Sequence, residues 1–217
     1  MSEISEVEYF VAREEELASI YKVLSEGTGR RTAVVHGLGG MGKTQLAVEY
    51  AKRHRNNYSA VFWLNARDEI SLKQSFTRVA ERILHEHPSV EYVKNAVQSR
   101  DLDKAVGAVK RWFDQPRNDR WLIIYDNYDN PKVEEDAKAT RSEGVHERMK
   151  SDEDEIVTEA YDIKPFLPDA HHGAILITTR SSRVRGKRIL LGKLRDLRDS
   201  LEILAHTSGR EYLHNGM

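Results

Sequence analysis

Eight consecutive residues constrain this chain more than anything else in it: Gly37-Leu38-Gly39-Gly40-Met41-Gly42-Lys43-Thr44. They fit G-x-x-x-x-G-K-[ST]. The apolar run Arg31-Thr32-Ala33-Val34-Val35-His36 precedes them and reads as a buried strand. Gln45-Leu46-Ala47-Val48-Glu49-Tyr50-Ala51 follows and reads as a helix. The motif carries meaning only in that strand–loop–helix setting. Its glycines let successive N–H groups turn inward toward phosphate oxygens, and the new helix adds its positive end. Lys43 would reach the β- and γ-phosphates, and Thr44 would offer its hydroxyl to Mg²⁺. The alternative is a glycine-rich strand-to-helix turn without a ligand.

Apolar runs continue the pattern: Ser59-Ala60-Val61-Phe62-Trp63-Leu64, Trp121-Leu122-Ile123-Ile124-Tyr125-Asp126, Ala174-Ile175-Leu176-Ile177-Thr178-Thr179 and Arg188-Ile189-Leu190-Leu191. Between them lie stretches of helical period. One, over 13–25, carries Leu17, Ile20, Tyr21 and Leu24. Another, over 69–84, carries Leu72, Phe76, Val79, Ala80 and Ile83 and is stopped by Pro88. A third covers 101–113 with Leu102, Ala105, Val106 and Val109, and a last spans about 197–207. Continuous apolar strands alternating with helices predict an α/β P-loop fold: a five-stranded parallel sheet with helices on both faces. Ligands of such sheets bind at the carboxyl ends of the strands, where Gly37 onward, Asp126 and Arg180 all fall. Asp126 would serve Mg²⁺ beside Thr44. Asn127, next to it, can align water but cannot take a proton at neutral pH, which predicts slow or absent hydrolysis. Asp129 could substitute as an acid, or be a turn residue before Pro131. Arg180 could sense a γ-phosphate, or cap the strand edge with a surface ion pair.

Residues 132–160 break the rhythm. They are dominated by charge, including Ser151-Asp152-Glu153-Asp154-Glu155, and read as an exposed, disordered insertion; a cation site or pairing to a basic partner surface are the alternatives. The 217 residues carry a net charge of −1, so no global field draws the chain to nucleic acid, and no apolar run is long enough for a membrane span. Cysteine is absent, which excludes disulfides and thiolate metal sites and agrees with a cytoplasmic location. His85-Glu86-His87, His171-His172 and the basic run Arg183, Arg185, Lys187, Arg188 read as solvated surface.

Five segments in this order resemble the NB-ARC nucleotide-binding domain of STAND NTPases, the NOD-like receptor and apoptosome-type switches, in their fungal form. They are Phe10-Val11-Ala12-Arg13-Glu14, Gly37–Thr44 with Gln45-Leu46-Ala47, Phe62-Trp63-Leu64-Asn65, Trp121–Asn127 and Gly173–Arg180. The resemblance implies that the segment at Val11 wraps the adenine with Arg13 close by. It implies that Gly39, Gly40, Met41, Gly42, Lys43, Thr44 and Gln45 hold the phosphates of ATP or ADP, that Asp126 serves Mg²⁺, and that Arg180 is the sensor. Lys43, Asp126, Asn127 and Arg180 would carry any hydrolysis. Two positions depart from the family pattern: Ala12 replaces its usual glycine, and Asn127 replaces the second acid of an Asp-Asp pair. The implied organisation is an adenine-contacting segment and first helix (1–30), a nucleotide-binding domain (31–195) and the start of a helical subdomain (196–217). The implied cycle runs from an ADP-bound rest state through exchange for ATP to homo-oligomerisation of a full-length receptor, this chain alone being a monomeric excised fragment. An actively turning-over P-loop ATPase or kinase is the competing expectation, and a DNA-associated ATPase a third.

Overall fold

In the computed structural model, residues 10, 13–132, 159–194, 200, 201 and 203 are described. Five strands build one sheet: β1 (Arg31–His36), β2 (Ala60–Asn65), β3 (Trp121–Asp126), β4 (Ala174–Thr179) and β5 (Lys187–Leu190). All pairs are parallel, in the order β2-β3-β4-β1-β5. β3 and β4 are buried along their whole length, as expected of central strands covered on both faces, and this is why their sequences show no alternation.

Helices α1 (Glu14–Ser25) and α2 (Lys43–Arg53) close one face. Leu17, Ile20 and Leu24 of α1 join Leu46, Ala47 and Tyr50 of α2 against Ala33, Val35, Leu122 and Leu176. On the other face lie α3 (Glu69–Glu86), α4 (Glu91–Ser99) and α5 (Leu102–Phe113), with Phe76, Val79, Val109 and Phe113 packed on Phe62, Ile123 and Ile175. The expected fold is therefore the observed one, with shifts of one or two residues at element ends. α2 begins at Lys43 rather than Gln45, directly after Gly42. α4 was not expected. Only Val93 and Ala96 of its nine residues are buried and no side chain caps its start, so its apolar period is too short to stand out. The expected helix over 197–207 falls almost wholly outside the described residues.

The charged insertion is likewise outside them, apart from Lys132, Glu159 and Ala160. Its two ends are tied together. Pro131 bridges Tyr161, Lys132 N–H donates to the Tyr161 carbonyl at 2.9 Å, and Tyr161 N–H donates to Asn130 at 3.3 Å. Residues 130–132 and Tyr161 therefore meet at one point. No described helix is long and apolar enough to cross a membrane.

Candidate functional site

Register decides what meets at the carboxyl end of the sheet. β1 lies beside β4 with His36 level with Thr179, and β3 lies on the other side of β4 with Tyr125 level with Ile177. The end of β4 therefore stands between the loop leaving β1 and the acid ending β3.

The loop leaves β1 at Gly37. A Cβ there would come within 2.3 Å of the Leu191 carbonyl oxygen, so only glycine fits. Gly40 (φ 73°) and Gly42 (φ 85°) occupy the left-handed region, with nothing within 4 Å of the place a Cβ would take. Lys43 opens α2, and its chain is folded back under the loop: Nζ donates to the carbonyls of Gly37 at 2.9 Å and Leu38 at 2.8 Å. Burial lowers the Lys43 pKa, while Asp129 raises it, Arg180 lowers it and Asp126 raises it again. Met41 is half-buried against the α1–α2 core, and Gln45 is half-buried in the first turn of α2.

Thr44 Oγ1 donates to both carboxylate oxygens of Asp126, at 3.0 and 3.2 Å. Asp126 is only 4% exposed, and burial pushes its pKa up. Hydrogen bonds from Thr178 and Thr44 pull it down again, Asp129 adds a further upward push and Lys43 a downward one. Thr178 is the partner the sequence did not announce. Its hydroxyl donates to Asp126 Oδ1 at 2.5 Å and accepts the Asn127 N–H at 3.0 Å. Asn127 is left-handed at φ 67° and gives its side-chain amide to Asp126 Oδ2 at 3.2 Å. The amide expected to align water is thus directed at the neighbouring carboxylate.

Arg180 and Asp129 form the remaining corner. Asp129 Oδ1 accepts the Arg180 backbone N–H at 2.6 Å and Oδ2 pairs with Nε at 3.0 Å. The guanidinium lies across Gly39, with Cζ and Nε 3.7 Å from where a Cβ would stand. Both readings of Arg180 thus have a footing, since it is ion-paired and also over the loop. The Asp129 carboxylate is engaged by Arg180 rather than standing as an acid beside Asn127. The only advance signal for Asp129 is an acid three residues past Asp126; nothing distinguished Thr178 from any other strand threonine.

Arg13 sits at the β5 side of the same sheet end. It is left-handed at φ 78°, donates to the Gly192 carbonyl at 2.7 Å and pairs with Glu16 at 3.0 Å. Val11 and Ala12 lie outside the described residues. The structure thus brings together Gly39, Gly40, Gly42, Lys43, Thr44, Asp126, Asn127 and Arg180, with Arg13 at the flank.

The hydroxyl of Thr44 and the buried carboxylate of Asp126 make an all-oxygen pair about a hydrogen bond apart. Such a donor set fits Mg²⁺, a hard cation that keeps several waters and takes one or two protein oxygens beside a phosphate.

A parallel sheet with a Gly-Lys-Thr loop on its first strand, and an acid ending the strand on the far side of that strand's neighbour, defines an α/β P-loop NTPase. The NB-ARC domain matches residues 13–129, more than half of the chain. This chain belongs to that family, a nucleotide-binding NTPase module of the STAND type. It is 27% identical over 180 residues to a nucleotide-binding leucine-rich repeat (NLR)-like protein of Hyaloscypha variabilis, covering 80% of this chain and 16% of that protein. The chain therefore spans about one-sixth of that relative's length. Among solved structures, Cdc6p from Pyrobaculum aerophilum shares the fold at a TM-score of 0.52 and 11% identity, over 94% of this chain and 52% of that one. The Aeropyrum pernix ORC2 protein aligns at a TM-score of 0.42 and 13% identity, over 90% of this chain and 50% of that one.

Proposed function

We propose that this chain is the adenine-nucleotide switch module of a larger cytoplasmic signalling protein, binding ADP and ATP with Mg²⁺ and hydrolysing ATP slowly. One observation carries the reading: a glycine loop, a lysine, a threonine–aspartate pair and an arginine are gathered where the ends of β1, β3 and β4 meet the start of α2. Thr44 and Asp126 stand 3.0 Å apart, and Arg180 lies over Gly39.

In this reading the loop receives the phosphates. The Lys43 ammonium exchanges its bonds to the Gly37 and Leu38 carbonyls for the β- and γ-phosphate oxygens. Thr44 and Asp126 hold Mg²⁺, which when bound offsets the phosphate charge. Arg180 meets the γ-phosphate, and the segment at Val11 with Arg13 encloses the adenine. The slow rate follows from Asn127: its amide cannot accept a proton, and it is already given to Asp126. The same fact disfavours a rapidly turning-over ATPase that relies on a catalytic acid at this position.

The switch needs more than this chain. Driving a two-state protein from mostly off to mostly on takes about 5.5 kcal/mol of differential binding. One charged hydrogen bond from Arg180 supplies roughly 1.5–3 kcal/mol. The remainder would come from other parts of a full-length protein, which homo-oligomerises when ATP replaces ADP.

The test is to denature the purified protein and identify the nucleotide released, then to titrate Lys43→Ala with a fluorescent ADP analogue. ADP or ATP should be released, and the variant should lose binding at least a hundredfold. Guanine nucleotide, or unchanged binding by the variant, would refute the reading.

A further inference from the structure

We propose that Asp129 is the positioning residue of Arg180, holding its guanidinium across the phosphate loop so that the end of β4 distinguishes a nucleoside triphosphate from a diphosphate. This rests on the nucleotide reading above.

The Arg180 side chain is 61% exposed. A long cation so open to water spreads over many rotamers unless something tethers it. Asp129 supplies the tether with both oxygens, one on the backbone N–H of Arg180 and one on Nε. Together they fix where the side chain starts and which edge of the guanidinium turns back toward β3. The group that results lies flat over Gly39, with Nη1 4.0 Å from the place of its missing Cβ. Nε is one of five donors on the planar fork, so the Nη edge remains able to meet two oxygens of one phosphate.

The tether is itself anchored. Beyond the last ladder pair of β3 and β4, the chains stay joined by Asn127 N–H on Thr178 Oγ1 at 3.0 Å, Tyr128 N–H on the Thr178 carbonyl at 3.0 Å, and Thr179 Oγ1 on the Tyr128 carbonyl at 2.5 Å. The left-handed turn at Asn127 is what brings Asp129 back to β4. Asp129 therefore sits on a short, fully hydrogen-bonded extension of the sheet, and its carboxylate has a fixed position from which to aim the arginine.

The test measures ATP and ADP affinities, with Mg²⁺, for the full chain and for Asp129→Asn, Arg180→Ala and the double variant. Asparagine keeps an oxygen for the Arg180 backbone N–H, so the turn survives, but its amide nitrogen cannot accept from Nε. Asp129→Asn should weaken ATP about two- to fivefold, the range of a partly exposed pair, and leave ADP unchanged. Arg180→Ala should weaken ATP at least as much, and the double variant should match Arg180→Ala alone. An unchanged or tighter ATP affinity in Asp129→Asn overturns the proposal. So does an equal loss for ADP, which marks a merely structural role, or an effect that persists when Arg180 is already alanine. Wild-type protein that binds neither nucleotide removes the underlying reading and this one with it. If Arg180→Ala selectively weakens ATP while Asp129→Asn does not, only the positioning role falls.

Discussion

Asn127 has two separable reasons to be asparagine. Its side chain gives a hydrogen bond to Asp126, and its backbone sits at φ 67°, a region that asparagine and glycine enter at little cost. Alanine loses both, and glycine loses only the amide. Asn127→Ala should therefore destabilise the fold by about 1–2 kcal/mol, the left-handed penalty, while Asn127→Gly stays within about 0.5 kcal/mol of wild type. Urea unfolding of the two variants checks this. Equal losses would place the cost in the amide instead of the backbone. The position of Lys43 and Thr44 at the start of α2 was legible in the sequence because a short motif fixes their types and spacing, and that of Asp126 because it ends an apolar run. The roles of Thr178 and Asp129 were not. Thr178 reaches Asp126 only because β4 lies between β1 and β3, and Asp129 reaches Arg180 only through the turn at Asn127.

At the scale of elements, two joints are sensitive. Gly173, just before β4, has φ 80°, and a Cβ there would stand 2.4 Å from the Trp121 ring. That ring is 1% exposed, and its Nε1–H donates to the Phe113 carbonyl at 3.2 Å, so it has little freedom to retreat. Gly173→Ala should cost at least about 2 kcal/mol from overpacking and backbone strain together, read as a lower midpoint of thermal unfolding. The second joint is His54, at the end of α2, whose ring stacks on Tyr21 of α1 with centroids 4.6 Å apart. Burial and then Arg53 lower its pKa below the ordinary 6.5. The folded chain thus binds fewer protons at this site than the unfolded one. This contribution is complete above the unfolded pKa and is lost as pH falls through the folded value. Thermal stability should decline from about pH 7.5 to about pH 5.5, within the histidine range, and His54→Phe should flatten part of that decline. His36, lowered by burial and Arg188, would retain the rest. Melting curves at three pH values decide it, and a slope unaltered by the substitution would exclude His54 as a contributor. The missed helix α4 belongs to this scale too: Val93 and Ala96 acquire their meaning from the groove beside α3 and α5, which no local pattern encodes.

For the whole molecule, the site draws on three strand ends and one helix, so its parts act only together. Removal of Mg²⁺ with a chelator should weaken nucleotide binding at least tenfold without unfolding the chain. The proposed ligands Thr44 and Asp126 are hydrogen-bonded to each other, and Asp126 to Thr178, and among the described residues no buried side-chain polar atom lacks a partner. Calorimetric titration with and without chelator tests this, and identical affinities would deny those residues a metal role. Steady-state ATP hydrolysis should stay below about 1 s⁻¹, the low end for ordinary enzymes, and faster turnover would favour a true ATPase.

The fold class, the phosphate loop and the acid of β3 followed from the amino-acid sequence alone, because hydrophobic period and a glycine-lysine-threonine spacing are local properties that survive without a partner. Strand order did not follow from it, and neither did the placement of Thr178 under Asp126 or the Asp129–Arg180 pair. Those depend on which strands lie side by side, and that is settled by the packing of two helical layers on a sheet.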